Sequence, residues 1–160
     1  MRLVEQEVVI DASMQTVYDH LTKPELFVRW MAPDATLEPR PGGRVTWRHE
    51  NGDVVAGQYV ELDPPRRVVF TYGWDRPEVG IPHGSTTVEI TLTAESPEGP
   101  TTLTLVHRGL PEPQVAPHSG GWTHYLARLA RAAQGEPLGL DELAGERVPS
   151  LGDLPGPLEA

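Results

Sequence analysis

Histidines and large aromatics are the residues of this 160-residue chain best suited to chemistry, and their spacing narrows what that chemistry is. His20, His49, His83, His107, His118 and His124 form no i, i+4 pair with a glutamate and no zinc-finger or zincin spacing. No metal and no cofactor is therefore expected. His107 closes an alternating run, Leu103-x-Leu105-x-His107, and His118 lies four residues before Trp122. Those two are the candidates for acid–base work or for orienting a polar ligand group, with catalytic residues otherwise unknown. His20 and His124 read as solvated helix positions. Nucleophilic catalysis has no motif: Gly-x-Ser-x-Gly is absent, and Ser85, Ser96, Ser119 and Ser150 sit in turns or in the tail. Gly42-Gly43 opens a strand and lacks the strand–loop–helix context of a phosphate cradle. Glu61, Glu89 and Glu95 point outward if the apolar faces point in.

The aromatics suggest a lined gap. Val68, Phe70, Tyr72 and Trp74 alternate along one stretch, as do Val45, Trp47 and His49 along another. Trp122 and Leu126 share a helical stripe with Leu129 and Ala133. Aromatic rings supply apolar area together with a polar tip that needs a partner when buried. The candidate ligand-binding set is Trp30, Trp47, Phe70, Tyr72, Trp74, Leu103, Leu105, His107, Trp122 and Leu126. The competing reading is that these side chains simply fill the core.

These residues need elements to position them. Leu3 to Ile10 has period two, a half-buried strand. Ser13 is a plausible N-cap for a helix carrying Val17, Tyr18 and Leu21. Pro24 then suits the first turn of a second short helix running towards Trp30. Strands follow over 44–49, 54–62, 67–74, 86–93 and 101–107. Asn51-Gly52 marks the first hairpin and Asp63-Pro64-Pro65 a rigid turn. Gly57 inside a strand suggests a bulge or bend. After a loop over 109–117, the last helix runs to a stop at Gly135. Short connections predict an antiparallel meander. The fold class is α+β: a curved antiparallel sheet of about seven strands around one long C-terminal helix, with two short helices after the first strand.

Composition removes several function classes. A net charge of −10, with Lys23 as the sole lysine, argues against nucleic acid as a partner. No apolar run is long enough to span a membrane, and the N-terminus does not resemble a signal peptide. Cysteine is absent, which excludes disulfides and thiolate chemistry and fits a cytoplasmic setting. The arginine, proline, glycine and alanine bias hints at a GC-rich bacterial source. Two parts are expected: a folded domain over 1–135 and an acidic, Pro/Gly-rich C-terminal tail over 136–160. The tail carries six acidic residues against Arg147 and reads first as a flexible segment; the other reading has Leu138, Leu140, Leu143 and Val148 anchor it on the domain or on a partner protomer.

The segment EVVIDASMQTVYDHLTKPELFVRWM resembles the opening of the activator of heat-shock-protein-90 ATPase homologue family. RPGGRVTW, GQYVELDPPRRVVFTYGW, STTVEITLT, TTLTLVHRGLP and HSGGWTHYLARLARA follow in the order that resemblance requires, over about residues 3 to 134. The family belongs to the START-like, birch-pollen-allergen-like (SRPBCC) helix-grip superfamily. The resemblance implies a helix-grip fold and a cavity for a hydrophobic or amphipathic molecule, and places Trp30 beside that cavity. Fold is fixed far better than function by such a likeness.

Three functions are then open. The first is a binding module for a small hydrophobic or amphipathic molecule, lipids included. The second is a chaperone-associated, stress-response or homodimeric interaction domain without a ligand. The third is a cyclase- or hydratase-like enzyme acting on an aromatic or polyketide-like substrate, which would need a titratable group inside the pocket. The residues favour binding over catalysis.

Overall fold

The computed structural model describes residues 3–143 and 145–155; Met1, Arg2, Ala144 and residues 156–160, which the expected 1–135 and 136–160 divisions include, lie outside the described residues. Chain order is β1 (Leu3–Ile10), α1 (Met14–Thr22), α2 (Pro24–Phe27), β2 (Asp34–Leu37), β3 (Arg44–Arg48), β4 (Val54–Asp63), β5 (Arg67–Tyr72), β6 (Thr86–Thr93), β7 (Thr101–Arg108) and α3 (Val115–Ala133). The seven strands form one antiparallel sheet in the order β1-β7-β6-β5-β4-β3-β2. This is the α+β helix-grip architecture.

Alternation explains the strands. In β6, Val88, Ile90 and Leu92 are buried while Thr87, Glu89 and Thr91 are only partly covered; β7 repeats this with Leu103, Leu105 and His107. The register sets Ile90 opposite Leu105 and Val88 opposite His107, so one face is continuous across the strands. Ser13 caps α1, its side chain accepting from the Thr16 amide, and Pro24 occupies the first turn of α2.

Several sequence expectations need correction. β2 escapes pattern reading because four residues give one useful alternation, Ala35 and Leu37, against Trp47 and Val45 of β3. α2 stops at Phe27, before Trp30. α3 begins at Val115, so Val115 to Pro117, expected as the end of a loop, form its first turn, where a proline is tolerated. β5 ends at Tyr72, and Trp74 joins the sheet through a single bridge to Val55. The bulge lies between Tyr59 and Glu61, where Val60 turns out to solvent; Gly57 instead meets a close strand approach, since a Cβ there would stand 1.9 Å from the Thr71 carbonyl oxygen. His20 is buried, its Nδ1 2.8 Å from the Thr16 carbonyl, and His124 is mostly covered beside Asp141, so neither is a solvated position.

The described part of the C-terminal segment lies along the domain. Asn51 Nδ2 donates to the Glu146 carbonyl at 2.9 Å, and Gln114 Nε2 donates to the carbonyls of Val79 and Pro149, each at 2.9 Å.

Candidate ligand pocket

α3 packs on β1, where Gln6 Nε2 donates to the Ser119 carbonyl at 2.7 Å and to Thr123 Oγ1 at 2.9 Å. Across the curved sheet, β3 and the end of β5 face the first half of the helix and meet it only in part, through contacts such as Tyr72 to His118 with ring centroids 5.9 Å apart. The space between holds a cavity of 460 Å³. Its walls come from Trp47 and His49 of the β3 edge, from Tyr72 and Trp74 at the end of β5, and from Pro117 to Tyr125 of α3. Leu143 and Glu146 to Pro149 of the C-terminal segment close one side.

The sequence-nominated residues divide between this cavity and the packed interior. Trp47, Tyr72, Trp74, Trp122 and His118 line the cavity. His107 is fully buried directly behind it, its ring 4.5 Å from that of Tyr72. Phe70, Leu103, Leu105 and Leu126 are buried in the core and are not among the lining residues. Trp30 is also core: its Nε1 donates to the His20 carbonyl at 2.9 Å and its ring lies edge-on to Phe27 at 5.0 Å. Phe27 in turn meets Trp47 at 5.3 Å, and Trp47 meets Phe70 at 6.1 Å and Tyr72 at 5.9 Å. This aromatic chain fills the interior up to Trp47, and the cavity begins on the other side of that ring.

Each cavity tryptophan is tied to a histidine. Trp47 Nε1 donates to His49 Nε2 at 3.2 Å, Trp74 Nε1 to His118 Nε2 at 3.0 Å, and Trp122 Nε1 to His107 Nδ1 at 3.1 Å. The remaining partners fix two tautomers. His118 Nδ1 faces the Gln114 carbonyl at 3.0 Å, an acceptor only, so Nδ1 carries the proton. Thr86 Oγ1 spends its hydrogen on the Tyr72 carbonyl at 2.8 Å and must accept from His107 Nε2 at 2.9 Å.

Both rings are consequently neutral. Burial pushes His107 down to about 3, with the neighbouring His118 adding to the effect. Burial likewise takes His118 down to about 4 against the opposing pull of the Gln114 carbonyl. His49 is also lowered by burial, in spite of Asp141 and Asp53 nearby. The Tyr72 hydroxyl is pushed well above the ordinary phenol range by burial, and Tyr125 by burial and its bond to Asp141. Tyr125 OH donates to Asp141 Oδ2 at 2.7 Å. Each indole N–H along these walls is therefore already engaged by an imidazole.

Charge is concentrated at the C-terminal side. Asp53 is almost fully covered and meets Arg147 Nη2 at 2.7 Å and Arg76 Nε at 3.3 Å. Burial alone would raise its carboxyl, but the bonds from Arg147 and the charge of Arg76 outweigh that and hold it below the usual range. Among the described residues no group of three or more His, Cys, Asp or Glu could hold a metal ion. None of His49, Asn51, Asp53, Tyr125, Gly120 or Gly121 was singled out from sequence as a lining residue. Only His49 had a signal there, as the third member of the Val45-x-Trp47-x-His49 alternation.

With that geometry in place, the family model for activator of Hsp90 ATPase homolog 1-like proteins matches residues 11–134, and the chain belongs to this family. Among solved structures, DynU16, a protein of the dynemicin biosynthetic locus, is similar with a TM-score of 0.74 at 24% identity, over 88% of this chain and 51% of that one. The chain thus spans about half the length of that relative. MLL2253 from Mesorhizobium loti gives 0.74 at 21% identity over 86% of this chain and 100% of that one. The Aha1 dimer from Colwellia psychrerythraea gives 0.70 at 21% identity over 83% and 96%. At these identities the likeness concerns the fold. No curated protein matches this sequence. Among the described residues no helix is long and apolar enough to cross a membrane.

Proposed function

We propose that this protein binds a small, flat, predominantly apolar molecule in the cavity between α3 and the β3–β5 side of the sheet. The observation that carries the reading is a 460 Å³ space walled by Trp47, Tyr72, Trp74, Trp122 and Tyr125. That volume falls within the roughly 300–1,000 Å³ of ordinary small-molecule sites. Indole donors already bonded to imidazoles offer ring faces to a ligand and no free hydrogen, which suits an aromatic or polycyclic body over a sugar or nucleotide. Binding is favoured over turnover by the same bonds. The ring nitrogens that would act as bases in His107 and His118 are taken by indole N–H groups, and burial keeps both rings neutral.

An interaction domain would use its surface. Among the described residues the exposed large apolar side chains are Val9, Val60 and Leu140; Val9 and Val60 stand on β1 and β4, which have three strands between them, and none of the three is aromatic. This supports the cavity over a surface patch as the working site.

Native mass spectrometry of freshly purified protein, followed by fluorescence titration with the neutral probe 1-aminoanthracene, tests the reading. Saturable one-site binding with energy transfer from tryptophan is expected. A titration without saturation would overturn it.

A further inference from the structure

The family match ends at residue 134, yet the pocket wall continues beyond it. Leu143, Glu146, Arg147, Val148 and Pro149 belong to the lining and come from a strap outside the matched region. Four sets of bonds seat this strap. At its start Asp141 accepts from Tyr125 and stands 2.6 Å from His124 Nε2. Asn51 reaches the Glu146 carbonyl, and Gln114, itself fully buried, divides its amide hydrogens between Val79 and Pro149. The fourth is a latch: Asp53, 2% exposed in its side chain, lies between Arg147 of the strap and Arg76 of the loop after β5, and Arg76 also donates to the Val148 carbonyl. Every partner on the domain side lies inside the matched residues, so the strap is added onto a frame that already carries its anchors.

A strap that merely tied down a chain end would not need to face a cavity. This one places the half-buried apolar side chains of Leu143 and Val148 on the pocket. Each retains apolar surface that a ligand would cover, and covering it favours both binding and the seated strap.

We propose that the strap is a wall of the binding site, with Leu143 and Val148 as specificity-determining contacts for the apolar body of the ligand and Arg147 as the residue that positions them through Asp53. The proposal rests on the pocket reading above. It assigns part of this protein's ligand choice to a segment outside the family domain, and selects ligands long enough to reach from Trp47 and Trp122 to the strap.

The test uses the full chain and 1-aminoanthracene, with Leu143→Ser, Val148→Ser and Arg147→Ala compared with the unsubstituted protein. Each substitution is expected to weaken binding by about tenfold, through lost apolar cover or a less populated seated strap. Hydrogen exchange on the unsubstituted protein should show the probe slowing amides of residues 141–143 and 145–150, while those on the outer side of β4 are unchanged. Equal affinity in all three variants, or no protection of the strap, overturns the proposal. Tighter binding by Arg147→Ala also overturns it, because the strap would then be a cover competing with the ligand. If the unsubstituted protein binds no probe, the pocket reading itself fails and this one with it; binding that ignores the strap defeats only this one.

Discussion

At the scale of single residues, the indole–imidazole pairs govern both stability and chemistry. His107 and His118 are neutral when folded and ordinary bases, near 6.5, when unfolded. A depressed folded value means that the unfolded chain binds more protons between about 4 and 6.5. Stability is therefore fully present above that window and is lost as pH falls through it, by up to about 1.4 kcal/mol per pH unit for each ring. Urea unfolding from pH 7 to pH 4 should show this slope, and a flat profile down to pH 4 would contradict the neutral state of the two buried rings. Trp122→Phe keeps an aromatic ring, though a smaller one, and strips the donor from His107 Nδ1. Leaving that buried acceptor unpaired should cost about 1–3 kcal/mol in urea unfolding. The two histidines were visible in the sequence as inward-facing, one by strand alternation and one by its spacing from Trp122. Their partners were not, because an indole N–H can reach any acceptor the tertiary fold brings near. Trp74 and His118 are 44 positions apart.

At the scale of elements, α3 contains a conflict that its packing does not resolve. Gly120 and Gly121 stand inside the helix and line the cavity, and a Cβ built on either would meet nothing within 4 Å. A mid-helix glycine costs about 1 kcal/mol relative to alanine, and no close backbone approach here requires one. On our account their function is the space they leave for the ligand. Gly121→Ala should therefore raise stability by up to about 1 kcal/mol in thermal or urea unfolding. Trp122, Leu126 and Leu129 keep a clean stripe that marks this helix in the sequence, whereas Val115 to Pro117 read as loop because a proline there gives no helical signal. β2 was missed because four residues at a sheet edge carry too little alternation to register.

For the whole molecule, order of elements and sheet topology followed from alternation, turns and the family resemblance, since strands that alternate and connect briefly have few ways to pair. The location of the hollow did not. Phe70, Leu105 and Leu126 satisfy the same patterns as Trp47, Tyr72 and Trp122, yet the first three are packed core and the others border space. Alternation assigns a side chain to a face; it does not say how far away the opposing element stands. That distance depends on where α3 rests on β1 and on how the strap is seated, both set by contacts remote in sequence.

The proposed function depends on a ligand entering the space beside Gly121. Fluorescence titration of 1-aminoanthracene against the unsubstituted protein and Gly121→Leu tests it most directly, with thermal unfolding confirming that both are folded. Saturable binding to the first is expected, with at least about a tenfold loss in the second, whose side chain would enter the cavity. Equal binding by the two folded proteins would contradict it.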